Sequence, residues 1–350
     1  MPIALTPPPV PEAKTLGDAR AQPAGKRKII CFSDFDGTIF MQDTGHVLFD
    51  NHGCGSERRE KLDEQIKNGE RSFRDVSEEM WGSLNVPFDD GFEVMKKNLE
   101  IDPDFESFHR YCLANDIPFN VISAGLKPIL RRVLDTFLGE EASSHIDIVA
   151  NDARISADGS EWKPIWRHDT ELGHDKAQSI TEARRQAEEE LRRENDDGTA
   201  TTVPLIVFIG DGVSDLPAAR EADVLFARRG LRLEEYCQEH GIAYIPFDTF
   251  ADIQREIERI RQEDEQKTGG KGAPARFNPR ANLWRRVSSQ SAVPRYVLMS
   301  PTKEDKMFLW PEAFSELKKP EVEVTEKPMP AVEEEHQPLQ PVQSQVKSAA

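Results

Sequence analysis

Cysteine is scarce in this chain: four residues, Cys31, Cys54, Cys112 and Cys237, are spread over 350 positions and form no CxxC pair. That scarcity argues against a disulfide framework or a structural zinc site and fits a reducing compartment. No apolar run approaches the roughly 20 residues needed to span a bilayer. No secretory signal is expected from the first residues, which carry Glu12 and Asp18 among several prolines and would make a poor transit peptide. The expected location is the cytoplasm, with the nucleus compatible with the same features. Positive charge is in deficit too: 45 Lys and Arg against 63 Asp and Glu leave a formal charge of −18. A field of that sign argues against general binding of nucleic acid or an anionic membrane. It does not exclude a phosphate substrate, because a bound metal ion dominates its own surroundings.

Apolar residues make up 37% of the chain and charged ones 31%, a balance that implies a normal core diluted by disordered segments. Residues 1–26 are rich in Pro and Ala without periodicity, and residues 263–350 run largely in Lys, Glu, Pro, Gln and Ser. Both are expected to be disordered. Between them, apolar runs at 28–34, 117–123, 203–210, 223–227 and 242–247 read as buried strands. Helical patterns at 126–138, 176–193, 214–222 and 231–240 alternate with them, which predicts an α/β fold with a doubly wound parallel sheet. Residues 146–165 contain an Asp-Gly turn and read as an antiparallel hairpin appended to that sheet. Residues 43–110 hold helical segments, among them 56–67, 72–82 and 90–98, and no strand. They predict a small all-helical cap, leaving 27–42 and 111–262 as the core.

Each strand ends in polar residues suited to phosphoryl chemistry: Asp34-Phe35-Asp36-Gly37-Thr38, Ser123-Ala124-Gly125 and Gly210-Asp211-Gly212-Val213-Ser214-Asp215, with Lys176 between the last two. Ligands of open α/β sheets sit at the carboxyl ends of the strands, so these segments should converge. A carboxylate can attack phosphorus and form an acyl-phosphate. A second acid two residues on can protonate the leaving oxygen and then activate water. Two anions facing a phosphate require a hard cation, and Mg²⁺ takes oxygen ligands such as Asp34 and Asp211, with Asp215 behind them. Lys176, the Ser123 hydroxyl and main-chain N–H groups near Ala124 and Gly125 would neutralise the phosphoryl oxygens, with Thr38 a further phosphate contact. Isolated Asp and Gly residues after strands are ordinary turn formers. Four such elements in order are not.

DFDGT, SAG, HDK and GDGVSD resemble the four motifs of the haloacid dehalogenase superfamily of aspartate-nucleophile phosphatases, over roughly residues 28–250. The resemblance implies that Asp34 is the nucleophile and Asp36 the acid/base. It also implies metal ligation by the Asp34 carboxylate, the Asp36 main-chain carbonyl and Asp211, with Asp215 in support. About 85 residues separate the first motif from the second, and about 50 separate the second from Lys176. The insertion is therefore the small helical cap, as in phosphoserine phosphatase, the methionine-salvage enolase-product phosphatases and a group of fungal cytosolic phosphatases. The phosphoserine enzymes place a glutamate where this chain has Asp43, and grip the substrate carboxylate with an arginine where a count from Phe73 reaches Met80. Methionine cannot pair with a carboxylate.

A sugar or polyol phosphate is therefore expected over phosphoserine, with Asp43 and His46 bonding its hydroxyls. Arg71 and Arg74 stand one turn earlier on the helix and face differently. Phe73, Met80 and Trp81 read as packing between cap helices, with Met80 also a candidate substrate contact. His174 reads either as lining the mouth of the site or as a plain surface histidine. The same motifs would serve a phosphotransferase or mutase, and a third reading makes the chain a scaffold whose tail binds a partner. That tail carries an apolar cluster within 296–318 and a Ser300-Pro301 pair, features compatible with a protein partner.

Overall fold

The computed structural model describes residues 27–194 and 203–271. The tail segment 296–318, its expected partner and residues 1–26 lie outside the described residues. Seven strands form one sheet in the order β4-β3-β2-β1-β5-β6-β7. They are β1 (Ile29–Ser33), β2 (Phe119–Leu126), β3 (Asp147–Ile155), β4 (Trp162–Ile165), β5 (Leu205–Gly210), β6 (Val224–Arg228) and β7 (Ile245–Phe247). All neighbours pair in parallel except β3 and β4. β1, β5 and β6 are buried along their whole lengths, which is why they read as unbroken apolar runs rather than alternating ones. Alternate residues of β1 serve opposite faces: Ile29 and Cys31 join one core, Ile30 and Phe32 the other.

The expected hairpin is present, but its first strand, β3, also pairs in parallel with β2, so only β4 runs against the sheet. Helices cover both faces: α5 (Phe105–Ala114), α6 (Lys127–Leu138), the short α7 (Glu140–Ser143), α8 (Lys176–Glu194), α9 (Leu216–Glu221), α10 (Arg232–Glu239) and α11 (Phe250–Thr268). Four more, α1 (Thr44–His52), α2 (Ser56–Lys67), α3 (Phe73–Gly82) and α4 (Phe88–Asn98), follow β1 and stand over the strand ends. The expected upper bound of this insertion, residue 110, falls inside α5. That helix packs on α11 through Phe105 and Phe108 against Phe250, as part of the layer beside the sheet.

The expected tail boundary at 263 likewise falls inside α11, which Ile253, Ile257 and Ile260 hold against the core. The helix runs on to Thr268, its last turns carrying a Lys267–Glu263 pair at 2.8 Å and ending at the left-handed Gly269. Just past the helix, the Gly270 carbonyl accepts the Arg27 N–H at 2.7 Å. A fragment spanning 27–271 should therefore keep kcat/KM within about twofold of the full chain. One ending at 265 removes that bond and the last helical turn, and should melt several degrees lower. Melting curves and initial rates on both fragments check this, and a tenfold deficit in the longer one would refute it.

Candidate active site

At the carboxyl end of β1 the Asp34 N–H still bonds the Ile209 carbonyl of β5 at 2.9 Å, and the chain then turns away from the sheet. The turn needs Gly37: its φ is +78°, and a Cβ there would lie 2.3 Å from Asp211 Oδ2. Asp34 Oδ1 accepts the Phe35 N–H at 2.7 Å and lies 2.9 Å from Lys176 Nζ. Asp36 Oδ1 accepts the Thr44 N–H, the first of α1, so this carboxylate reaches from the core to the cap. On the other side, Asp215 is fully buried and accepts the N–H groups of Asp211 and Gly212, both at 3.0 Å, and Lys176 Nζ at 2.8 Å.

The β2–β3 register slips between Ile122 and Leu126, which frees Ser123-Ala124-Gly125 from the ladder to face the site. Asn151 of β3 fills part of the gap by donating to the Ala124 carbonyl. Within the loop, the Gly125 N–H donates to Ser123 Oγ at 3.0 Å, so the serine's own proton remains free for a ligand.

Burial, followed by repulsion from Asp215, raises the Asp34 carboxyl well above its ordinary range and takes that of Asp211 to about 7. Burial, followed by the charge of Asp43, takes Asp36 to about 8. For Lys176, burial alone would lower the ammonium's pKa, but Asp215 and Asp34 outweigh it and raise it. Asp34, Asp211 and Asp215 offer oxygens within 4.8 Å of one another, and Lys176 is the only ammonium paired with any of them in the described residues. Three clustered hard donors with one cation among them leave a deficit of positive charge that suits Mg²⁺.

These groups floor a cavity of about 240 Å³ beneath the cap. Of the residues expected at the site, Asp34, Asp36, Ser123, Ala124, Gly125, Lys176 and Asp211 line it from the core, and Asp43, His46 and Met80 from the cap. Three do not. Thr38 is turned behind the floor, where its hydroxyl donates to Asp211 Oδ1 at 2.6 Å. Asp215 lies below, holding the backbone of its own loop. His174 is at neither the mouth nor the surface but is 3% exposed. Its Nδ1 meets the Ser123 carbonyl at 2.7 Å and its Nε2 the Ser179 hydroxyl at 3.0 Å. A carbonyl can only accept, so Nδ1 carries the proton, and burial, which lowers the imidazole to about 3, keeps the ring neutral.

Met80 and Trp81 are buried in the cap and also wall the cavity, as do Phe49, Ile66 and Phe73. Asp63 is a further lining residue that sequence reasoning missed, since it sits in the highly charged α2 and reads as a solvated face. It takes Arg59 Nη1 at 3.1 Å and lies 3.8 Å from His46 Nε2. Arg71 and Arg74 turn away from the cavity, to Glu79 and Asp169 respectively.

A mostly parallel sheet wrapped by helices, with a helical cap and clustered aspartates at its carboxyl edge, is the layout of an aspartate-based phosphoryl-transfer enzyme. The sequence profile described as haloacid dehalogenase-like hydrolase matches residues 31–220. The chain belongs to that family, and within it is an enzyme of the phosphatase type. It is 38% identical over 237 residues to Pdp3-interacting factor 1 of Schizosaccharomyces pombe, covering 68% of this chain and 98% of that one. It is 36% identical over 233 residues to a polyol phosphate phosphatase of Saccharomyces cerevisiae, covering 67% and 94%. A 2-hydroxy-3-keto-5-methylthiopentenyl-1-phosphate phosphatase of Bacillus cytotoxicus aligns at 28% over 232 residues, covering 65% and 95%. Among solved structures, a substrate-bound phosphoserine phosphatase superposes with a TM-score of 0.47 at 15% identity, covering 67% of this chain and 99% of that one.

Proposed function

We propose that the chain is a magnesium-dependent phosphomonoesterase that hydrolyses a small neutral polyol or sugar phosphate through an aspartyl-phosphate on Asp34. The observation that carries the substrate class is the charge of the cavity. Its only basic lining residues, among the described ones, are Lys176 on the floor and His46 in the cap, while the cap also presents Asp43 and Asp63. A carboxylate on the leaving group would shed its water against two acids without meeting an arginine, a cost of several kcal/mol. Hydroxyl groups can donate to those acids, and the carbon skeleton can lie against Phe49, Phe73 and Trp81. The likeness to a protein named polyol phosphate phosphatase supports the same reading.

Asp34, the main-chain carbonyl of Asp36 and Asp211 would hold Mg²⁺, which when bound offsets the charge of the phosphate. Asp34 attacks phosphorus while Asp36, with a pKa near 8, delivers its proton to the leaving oxygen. The ammonium of Lys176 and the free proton of Ser123 Oγ balance the phosphoryl oxygens. Once the alcohol has left, Asp36 is a carboxylate and takes a proton from the water that attacks the acyl-phosphate.

The test is a panel of phosphomonoesters turned over by the purified protein with magnesium, with chelator as the control. Polyol or sugar phosphates should lead. Phosphoserine should fall at least about a hundredfold lower in kcat/KM, a gap of about 2.7 kcal/mol. A panel led by phosphoserine, or full activity after exhaustive chelation, would defeat the proposal.

A further inference from the structure

Arg228 closes β6 at the edge of the sheet that carries the site, and its side chain is buried against the Phe247 ring, 4.9 Å from the centroid. Its Nη2 makes two bonds, to the Thr38 carbonyl at 2.6 Å and to Asp102 Oδ2 at 2.8 Å. Nη1 donates to the Asp248 carbonyl at 2.7 Å. Thr38 and Asp102 belong to different segments, one entering the cap and one leaving it. The two segments are themselves paired: the Asp102 N–H donates to the Ile39 carbonyl at 2.8 Å, the Met41 N–H to the Glu100 carbonyl at 2.9 Å, and Phe40 bridges Ile101. One nitrogen thus holds both sides of the cap's root. Asp102 is fixed from its other oxygen by the N–H groups of Asp104 and Phe250, so this anchor cannot drift.

From Thr38 the chain of bonds runs on into the site, because the same residue whose carbonyl Arg228 fixes donates its hydroxyl to Asp211 Oδ1. We propose that Arg228 is a positioning residue that couples the root of the cap to the aspartate cluster, setting the orientation of the Asp211 carboxylate through Thr38. The proposal rests on the phosphomonoesterase reading above. It makes the hinge of the cap and the cation-binding acid one mechanical unit. A displacement of either linker moves Thr38, and with it the carboxylate that must face the bound cation. Groups that orient a ligating carboxylate contribute about ten- to a hundredfold in metal affinity or activity.

The experiment uses the full chain with Arg228→Met, Arg228→Lys, Thr38→Val and Asp102→Asn. Magnesium binding is measured by calorimetry without substrate, and kcat and KM on the best phosphomonoester of the panel. Arg228→Met should weaken magnesium at least about tenfold and lower kcat by a similar factor with KM changed less than about threefold. Arg228→Lys, whose ammonium can still span Thr38 and Asp102, should recover most of both. Thr38→Val should act in the same direction, and the Arg228→Met/Thr38→Val double variant should lie within about twofold of the worse single change, because both break one path.

If Arg228→Met does not fold, Asp102→Asn and Thr38→Val keep the shape of the site and carry the same expectation for magnesium. Unchanged magnesium affinity and kcat in folded variants would reduce Arg228 to a structural anchor and overturn the proposal, as would effects that simply multiply. The calorimetric arm reports even if no substrate on the panel is turned over, which separates a failure of this proposal from a failure of the functional reading.

Discussion

Exchanging Asp34 for asparagine should lower kcat by more than about a thousandfold while leaving the melting temperature unchanged or raised. The chemistry dictates the first half. An amide oxygen is too weak a nucleophile to take phosphorus from an alkoxide, and no acyl-phosphate can form at that position. The second half follows from the surroundings. Asparagine has the same shape, and its Oδ1 can still accept the Phe35 N–H and the Lys176 ammonium that Asp34 Oδ1 meets at 2.7 and 2.9 Å. Lys176 keeps its bond to Asp215. What disappears is a carboxylate that burial first, and repulsion from Asp215 and Asp211 second, hold well above its ordinary pKa. Steady-state rates and thermal melts on the same preparation measure both. Residual kcat above about a hundredth of wild type would remove Asp34 from the nucleophile's role, and a large fall in melting temperature would show that its charge stabilises the fold.

The parts of this molecule that could be read from the sequence are those where one residue type has one physical use. Runs such as IICFS and LIVFIG are buried on both sides, so they mark central strands whatever surrounds them. The acids that follow them were legible because carboxylates at strand ends have few other reasons to recur in that order. Beyond that, tertiary contacts decide. β3 looked like half of a hairpin, since a local pattern cannot show that its other edge pairs with β2. The expected cap bound at 110 cut through α5, because a helical period says nothing about the helix's partner, α11. Thr38 sits in the right motif for a phosphate ligand, yet its hydroxyl is committed to Asp211. His174 is three positions from exposed Glu171 and two from Lys176, and only the fold buries it under Ser123. Asp63 was hidden for the opposite reason: a charged residue in a charged helix looks like solvent surface until a cavity opens beside it.

Removing the cation of the site should be as damaging as removing its nucleophile, and in a different way. Lys176→Met preserves length and bulk at a side chain only 3% exposed, but leaves Asp34, Asp211 and Asp215 with no ammonium among them. Breaking a buried ion pair by deleting one partner costs about 3–5 kcal/mol, so without magnesium the variant should melt roughly 10 °C lower. Its kcat should fall at least about a thousandfold, since the phosphoryl oxygens lose a preorganised positive charge and Asp34 is pushed further toward its neutral, non-nucleophilic form.

Magnesium then separates this account from simple loss of packing. A divalent cation bound to the folded acid cluster stabilises by mass action, and it has more repulsion to relieve when the lysine is missing. Millimolar magnesium should therefore raise the melting temperature of Lys176→Met by more than it raises that of the wild type, without restoring turnover. Lys176→Arg should not rescue activity, because the guanidinium is too broad for a pocket fitted to one ammonium between Asp34 and Asp215 at 2.9 and 2.8 Å. A variant that melts like the wild type in chelator, or that keeps a tenth of its kcat, would mean that Lys176 does not hold the charge of this site.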